Sequence, residues 1–406
     1  MDKGRILVVM HYLEIGGAET ALIGLLNALD QNKVAVDLFL HDHRGEMMQF
    51  VPGWVNVLPA IKQYTVLERP IIELVRRGFW GTAAARLLAK VISRRAYAKS
   101  GSQMPNASEF HYMASLTTPL MPRINPGVTY DLAISFLSPH QVVLNKVNAK
   151  RKVAWIHTDY TRIWIDSAAE LKVWGGYDQI VSISPDVTRR FLEVFPSLAP
   201  KIVEIENILS PKFVRQRAEL GDLQGDKMWC GDANNCVRLL SVGRFSEAKN
   251  YDNVPDICRR IISSGIDVKW FIIGYGNEAL IRQKIKEAGM QGKVIILGKR
   301  SNPYPYIKAC DIYVQPSRYE GKSVTVREAQ MLCKPVVVTD YPTASSQIHN
   351  GTDGVIVPMN NDGCAKGIAE FVENVDLQQS IVEYLHSHDY GNEQEVEKIY
   401  RMINAM

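Results

Sequence analysis

The chain has 406 residues, a formal net charge of +4, 46% apolar residues and 22% charged residues. That length exceeds what one core holds and predicts two domains of roughly 200 residues each, while the composition excludes a disordered chain. The mild positive charge does not indicate nucleic-acid binding, but it suits anionic substrates or an anionic membrane surface.

The chain opens with Lys3-Gly4-Arg5 and an apolar run from Ile6 to Met10, like the start of a signal peptide. The run stops at His11 and no small-residue cleavage site follows, so a targeting segment is not expected. Residues 5–9 read instead as a strand, followed by a Gly-rich turn, a helical pattern over 18–29 and a strand over 34–40. Further strands are predicted at 132–136, 152–156 and 180–183, with a helix at 185–194. The rhythm breaks over 207–235, where Pro211 precedes a polar stretch. It resumes with strands at 238–242, 269–273, 293–297, 312–314 and 335–338. A last helix, 392–402, follows the breakers Asp389-Tyr390-Gly391. Strands alternating with helices imply parallel, doubly wound α/β sheets. The domains are therefore placed at 1–208 and 238–387, with 209–237 as linker and 388–406 as a terminal helical segment.

No run of about 18 apolar residues occurs, so no transmembrane helix is expected. All six cysteines lie in the second half without CxxC spacing, which predicts reduced thiols in a cytoplasmic protein and neither a zinc site nor a disulfide framework. Cys230 and Cys236 flank a Gly-Asp-Ala-Asn-Asn turn, and the spacing leaves a close approach open.

Residues 76–99 carry Arg76, Arg77, Arg86, Lys90, Arg94, Arg95 and Lys99 with no acidic residue, interleaved with Phe79, Trp80, Leu87, Leu88, Val91 and Ile92. Such a segment suits the interface of an anionic membrane. A solvated helix face over an ordinary core stripe accounts for the pattern equally well.

The densest chemistry runs from Ser317 through Glu320-Gly321-Lys322-Ser323-Val324 to Glu328, directly after the strand at 312–314. Ligands bind at the carboxyl ends of strands in open α/β sheets, and the helix that follows offers amides and a positive dipole end to a phosphate. Glu320 and Glu328 can accept hydrogen bonds from sugar or ribose hydroxyls. The plain alternatives are a capping box, Thr325-x-x-Glu328, and a solvated loop carboxylate at Glu320.

The pair Glu320-x7-Glu328 resembles the signature of family 4 glycosyltransferases, retaining enzymes of the GT-B fold. Val242-Gly243-Arg244-Phe245 with Lys249-Asn250, Gly274-Tyr275-Gly276-Asn277-Glu278, and Gly16-Gly17-Ala18-Glu19 resemble three further motifs of that family, in the family's order. The resemblance implies two Rossmann-like domains facing across a cleft, with the terminal helix crossing back to the N-terminal domain. It assigns acceptor binding to the N-terminal domain and the nucleotide-sugar to the C-terminal one. It makes Arg244 and Lys249 the cations that neutralise the donor diphosphate, Glu328 the ribose ligand and Glu320 the ligand of the transferred sugar. Gly274 and the backbone of Lys322, Ser323 and Val324 would line the donor, and Gly16 and Gly17 would close over its phosphate. His157, at the end of a strand-like run, would orient the sugar or assist the acceptor; a structural histidine is the alternative.

The chemistry so implied is transfer of a sugar with retention, from a UDP-sugar or next a GDP-mannose type donor, to a glycan or lipid-linked saccharide in bacterial cell-surface polysaccharide (lipopolysaccharide or capsule) synthesis. Two fixed cations replace a metal, so neither metal nor cofactor is expected. The setting is cytoplasmic, with peripheral contact at the inner face of the plasma membrane if residues 76–99 bind lipid. Gly321-Lys322-Ser323 departs from the commoner pattern after the first glutamate and leaves the sugar open. The competing classes are a GT-B nucleotide-sugar epimerase, a non-catalytic sugar-binding relative, and an NAD- or FAD-dependent oxidoreductase suggested by Gly274-x-Gly276-x-x-Ala279.

Overall fold

A computed structural model of the chain describes residues 3–404 apart from 66, 68, 138, 221–222, 224–227 and 229–235. Cys230, the candidate neighbour of Cys236, lies outside the described residues; the other five cysteines are free thiols. The fold divides into two compact units, residues 1–208 with 392–406, and residues 209–391.

The first unit is built on a seven-stranded parallel sheet in the order β3-β2-β1-β4-β5-β6-β7. Its strands are β1 (Gly4–Met10), β2 (Val34–Leu40), β3 (Asn56–Val57), β4 (Tyr130–Ser135), β5 (Ala149–Trp155), β6 (Gln179–Ser182) and β7 (Ile202–Glu204). Ile6 through Met10 and Leu132 through Ser135 are all buried, the signature of strands covered on both faces. The helix Val396–Asn404, from the far end of the chain, also belongs to this unit. Tyr400 accepts a 2.7 Å hydrogen bond from the Asp30 amide, Lys33 pairs with Glu397 at 3.0 Å, and Lys398 donates to the Glu204 carbonyl at 2.8 Å.

The second unit carries a six-stranded parallel sheet in the order β10-β9-β8-β11-β12-β13. The strands are β8 (Val237–Val242), β9 (Val268–Ile273), β10 (Val294–Gly298), β11 (Ile312–Gln315), β12 (Val336–Thr339) and β13 (Val355–Val357). Each sheet reverses direction once, between β1 and β4 and between β8 and β11. That switch point leaves a crevice beyond the strand ends, because the flanking loops leave in opposite directions.

Two expectations need correction. Residues 211–219, assigned to a linker, form the helix Pro211–Glu219, capped by the Ser210 side chain at the Phe213 amide and buried at Val214 and Ala218. After the serine cap, Pro211 occupies the first helical position, where its missing N–H costs nothing. The terminal helix is also shorter at its start than the pattern suggested: residues Glu393–Glu395 form one 3-10 turn before it begins at Val396.

Candidate active site

The second unit gathers most of the expected residues at its switch point. The β8 loop supplies Arg244 and Lys249, and the β11 loop supplies Glu320. The two loops are stitched together by Arg318. Its amide donates to the Ala248 carbonyl at 2.8 Å, and its guanidinium donates to both carboxylate oxygens of Asp252, at 3.0 and 2.8 Å, and to the Glu247 carbonyl. Lys249 Nζ is thereby held 2.5 Å from Glu320 Oε1, and their side chains are only 19% and 12% exposed.

Glu320 is held from beneath as well. Ser317 donates to the same Oε1 at 2.6 Å and Gln315 Nε2 donates at 3.1 Å. Gln315 in turn accepts from Tyr313 at 2.8 Å and from Thr325 at 3.3 Å, which joins the carboxylate to the start of the next helix. A solvated loop carboxylate is therefore the wrong picture of Glu320. Its position is fixed by three donors, one of them charged.

Glu328 sits in the helix Val324–Met331, capped by Ser323 without a side-chain bond. The capping-box alternative fails, because Thr325 lies inside the helix and bonds Gln315, while Glu328 is buried and accepts from Tyr304 at 2.8 Å. Burial pushes the Glu328 carboxyl up to about 7, and the Tyr304 hydrogen bond offsets part of that rise. Ser323, whose backbone was expected to face a donor, is clamped by Gln347, which accepts from its amide at 2.9 Å and donates to its carbonyl at 2.7 Å. Val324 starts the helix, so its N–H has no intrahelical acceptor. Lys322 is exposed.

Gly274 follows β9 and packs against the β8 loop, where an added Cβ would lie 1.9 Å from the Gly243 carbonyl oxygen; Gly276 packs in the same way on Phe245. These glycines permit loop-on-loop contact, which explains the degenerate dinucleotide fingerprint without a dinucleotide. Arg244 is exposed and lies over the Tyr275 ring at 5.7 Å, and Lys299 approaches the same ring at 5.5 Å. Two cations therefore approach the Tyr275 ring. Among the described residues no cluster of His, Cys, Asp and Glu could hold a metal ion.

The first unit holds Gly16, Gly17 and His157. Gly16 precedes the helix Gly17–Ala28, and a Cβ there would meet the Glu19 carboxylate at 2.3 Å, whereas Gly17 faces open space. His157 follows β5; burial lowers its value to about 4, so the ring is neutral, and its buried Nε2 has no hydrogen-bond partner. Its ring packs on Phe136, centroid to centroid 4.9 Å.

Sequence reasoning missed Gln315, gave Ser317 and Tyr275 no role of their own, and missed Tyr304 and Gln347. The signal for the first two was present: polar residues directly after the apolar run Ile312-Tyr313-Val314, where solvent exposure is not the reason for polarity.

Two doubly wound parallel sheets, the second with a paired cation and carboxylate at its switch point, define a GT-B glycosyltransferase fold. Residues 234–387, most of the second unit, match the model of the group 1 glycosyl transferases. Among curated proteins, the chain is 28% identical over 146 residues to an N-acetylgalactosaminyltransferase of Campylobacter jejuni that acts on a diphospho-undecaprenol-linked saccharide, covering 35% of this chain and 39% of that protein. It is 25% identical over 260 residues to the amylovoran biosynthesis glycosyltransferase AmsK of Erwinia amylovora, covering 57% of this chain and 63% of that protein. The matches thus span less than two thirds of these relatives' length. Among solved structures, the fold is similar to Anabaena HepE in complex with UDP and glucose, with a TM-score of 0.67 at 16% identity over 99% of this chain and 100% of that one. A glycosyltransferase from Rickettsia africae matches with a TM-score of 0.65 at 17% identity over 100% of this chain and 99% of that one.

Proposed function

We propose that the chain is a retaining, metal-independent glycosyltransferase of the family 4 type. It moves a sugar from a nucleotide-sugar, UDP-linked first and GDP-mannose next, to a glycan or lipid-linked saccharide in cell-surface polysaccharide synthesis. The observation that carries this reading is the half-buried Lys249–Glu320 pair at the switch point of the second sheet. Kinship with the amylovoran and undecaprenol-linked transferases supports the pathway, and the UDP bound by HepE supports the donor.

In this reading Lys249 and Arg244 meet the diphosphate and Val324 offers its helix amide. Lys249 is held by Glu320 in the free chain, so donor entry makes the cation bridge phosphate and carboxylate. Glu320 keeps its remaining oxygen for a sugar hydroxyl, and Glu328 takes the ribose hydroxyls. The bond from the anomeric carbon to the phosphate oxygen breaks while the acceptor oxygen bonds the same carbon on the same face. The acceptor proton passes to the departing phosphate oxygen, so no protein nucleophile forms an adduct. Charge grows on the leaving diphosphate, and fixed cations stabilise it more in the transition state than in the ground state. His157, neutral and with a spare nitrogen, orients a hydroxyl in the first unit. The same reading places the chain at the inner face of the plasma membrane, in peripheral contact through residues 76–99.

A thermal-shift screen of nucleoside diphosphates and nucleotide-sugars in EDTA tests the donor, because a ligand of the folded state raises the melting temperature by mass action. One nucleotide class is expected to stabilise, and transfer with the same donor should give a product whose anomeric configuration matches it by NMR. A strict requirement for added Mg²⁺, or an inverted product, overturns the proposal.

A further inference from the structure

The basic segment forms the helix Trp80–Ser100, and its faces are reversed relative to an ordinary surface helix. The residues it buries are small, namely Thr82, Ala83, Ala89 and Ser93, and Ser93 makes a 2.8 Å hydrogen bond with Ser108 on the neighbouring helix Ser108–Thr117. The large apolar residues point outward. Trp80 is 66% exposed, Leu87 and Leu88 52% each, and Val91 44%. On a helix of 3.6 residues per turn these four fall within an arc of about 100°. Leu120, itself 51% exposed, adjoins the stripe beside Gly81, whose Cβ would meet it at 3.8 Å. An apolar stripe turned to water is costly and marks a surface that something else covers.

We infer that this outward stripe is a membrane-docking face, which lies in the plane of an anionic bilayer with Trp80, Leu87, Leu88 and Val91 among the acyl chains. Charge complementarity selects the occupant. No acidic residue occurs between Glu73 and Glu109, while Arg76 and Arg77 precede the stripe and Arg94, Arg95 and Lys99 follow it, all five exposed. Long basic side chains reach lipid phosphates while their stems stay on the apolar face. A second copy of the chain would present the same sign of charge and repel, so self-association is disfavoured. At 21 residues the helix has the length of a span, but its charges place it on the surface rather than across it; among the described residues no helix is apolar enough to cross a membrane. This inference rests on the peripheral-contact reading and not on the transfer chemistry.

Co-sedimentation of the full chain with vesicles of phosphatidylglycerol and phosphatidylcholine, against pure phosphatidylcholine, tests it. Binding is expected at least tenfold tighter to the anionic vesicles at low salt, with release at high salt and a blue shift of Trp80 emission that Trp80→Phe removes. Leu87→Ser with Leu88→Ser should weaken binding by about tenfold or more, through side chains that carry no core packing. Arg94→Gln with Arg95→Gln should flatten the salt dependence. Equal partition to both vesicle types, or partition that survives the leucine substitutions, overturns the inference. So does a concentration-dependent dimer in sedimentation velocity that the leucine substitutions abolish. Unchanged circular dichroism and an unchanged donor-induced thermal shift in each variant separate loss of docking from misfolding and from failure of the transferase reading.

Discussion

The two sheets use the same topology to make different environments. At the β8/β11 switch point of the second unit, the loops are pinned by ion pairs, Arg318 with Asp252 and Lys249 with Glu320. At the strand ends of the first unit, ion pairs such as Arg44 with Glu14 and Arg190 with Asp159 lie beside three histidines that burial keeps neutral: His41 and His140 lowered to about 3, and His157 to about 4. His41 and His157 each keep a buried ring nitrogen without a partner. A doubly wound sheet supplies a crevice, not a charge. The loop residues decide whether that crevice suits a diphosphate or a neutral, hydroxyl-rich ligand.

The sharpest way to break this contrast is to remove the charge. Lys249→Ala should cut turnover by on the order of 10²-fold or more, because it deletes a cation facing the developing charge on the leaving group. It should also lower stability by leaving Glu320 with only its neutral donors. Steady-state kinetics and a denaturation curve check the two effects separately. Unchanged turnover in a folded variant would contradict the assigned role.

The next effect is one of pH. Burial holds Glu328 at about 7 against an ordinary 4.5, so the folded chain binds more protons than the unfolded chain between those values. Its contribution to stability is accordingly full below pH 4.5 and falls as pH rises through that window. Donor binding has the opposite dependence if ribose hydroxyls require the carboxylate. Affinity should then weaken about tenfold from pH 8 to pH 6, following the ionised fraction of a group of that value. Tyr304→Phe removes the bond that holds the value down, and should move the midpoint upward. Calorimetric titration of nucleoside diphosphate across this range reads the midpoint. A flat profile in both proteins would show that Glu328 does not bind the nucleotide as an anion.

In the first unit the expected effects are smaller. His157→Ala should slow transfer by roughly tenfold, the worth of one hydrogen bond to a neutral ligand, while leaving the affinity for free nucleoside diphosphate unchanged. Because the ring stays neutral above about pH 4, the wild-type rate should show no inflection from this residue between pH 5 and 8. A parallel loss of nucleotide affinity would remove the distinction between the two environments.

These contrasts were legible in the sequence to unequal degrees. The central strands announce themselves because burial on both faces demands unbroken apolar runs, such as Ile6 to Met10 and Ile312 to Val314. The edge strands β3, β7 and β13 did not, since two or three residues cannot show a period. Glu320, Glu328 and Lys249 stand out by spacing. Of the donors that hold them, Gln315 and Ser317 stand in the same segment as polar residues after an apolar strand, whereas Tyr304 becomes visible only when separate helices meet. The helix Trp80–Ser100 shows the same limit from another side. A helical period tells which residues share a face, but which face turns inward depends on what packs against it.

The smallest expected difference sharpens the comparison at its glycines. Gly274 opens and Gly16 closes a strand-to-helix connection, yet a Cβ on Gly274 would strike backbone, the Gly243 carbonyl oxygen, while one on Gly16 would strike the tip of the flexible Glu19 side chain. Backbone cannot yield without moving β8 or β9, whereas a carboxylate can rotate. Gly274→Ala should therefore cost about 2–4 kcal/mol and Gly16→Ala less than about 1 kcal/mol. Urea denaturation midpoints measure both. Comparable losses would mean that Glu19 is held as rigidly as a strand end, and that the turn in the first unit is built to one shape as tightly as the turn in the second.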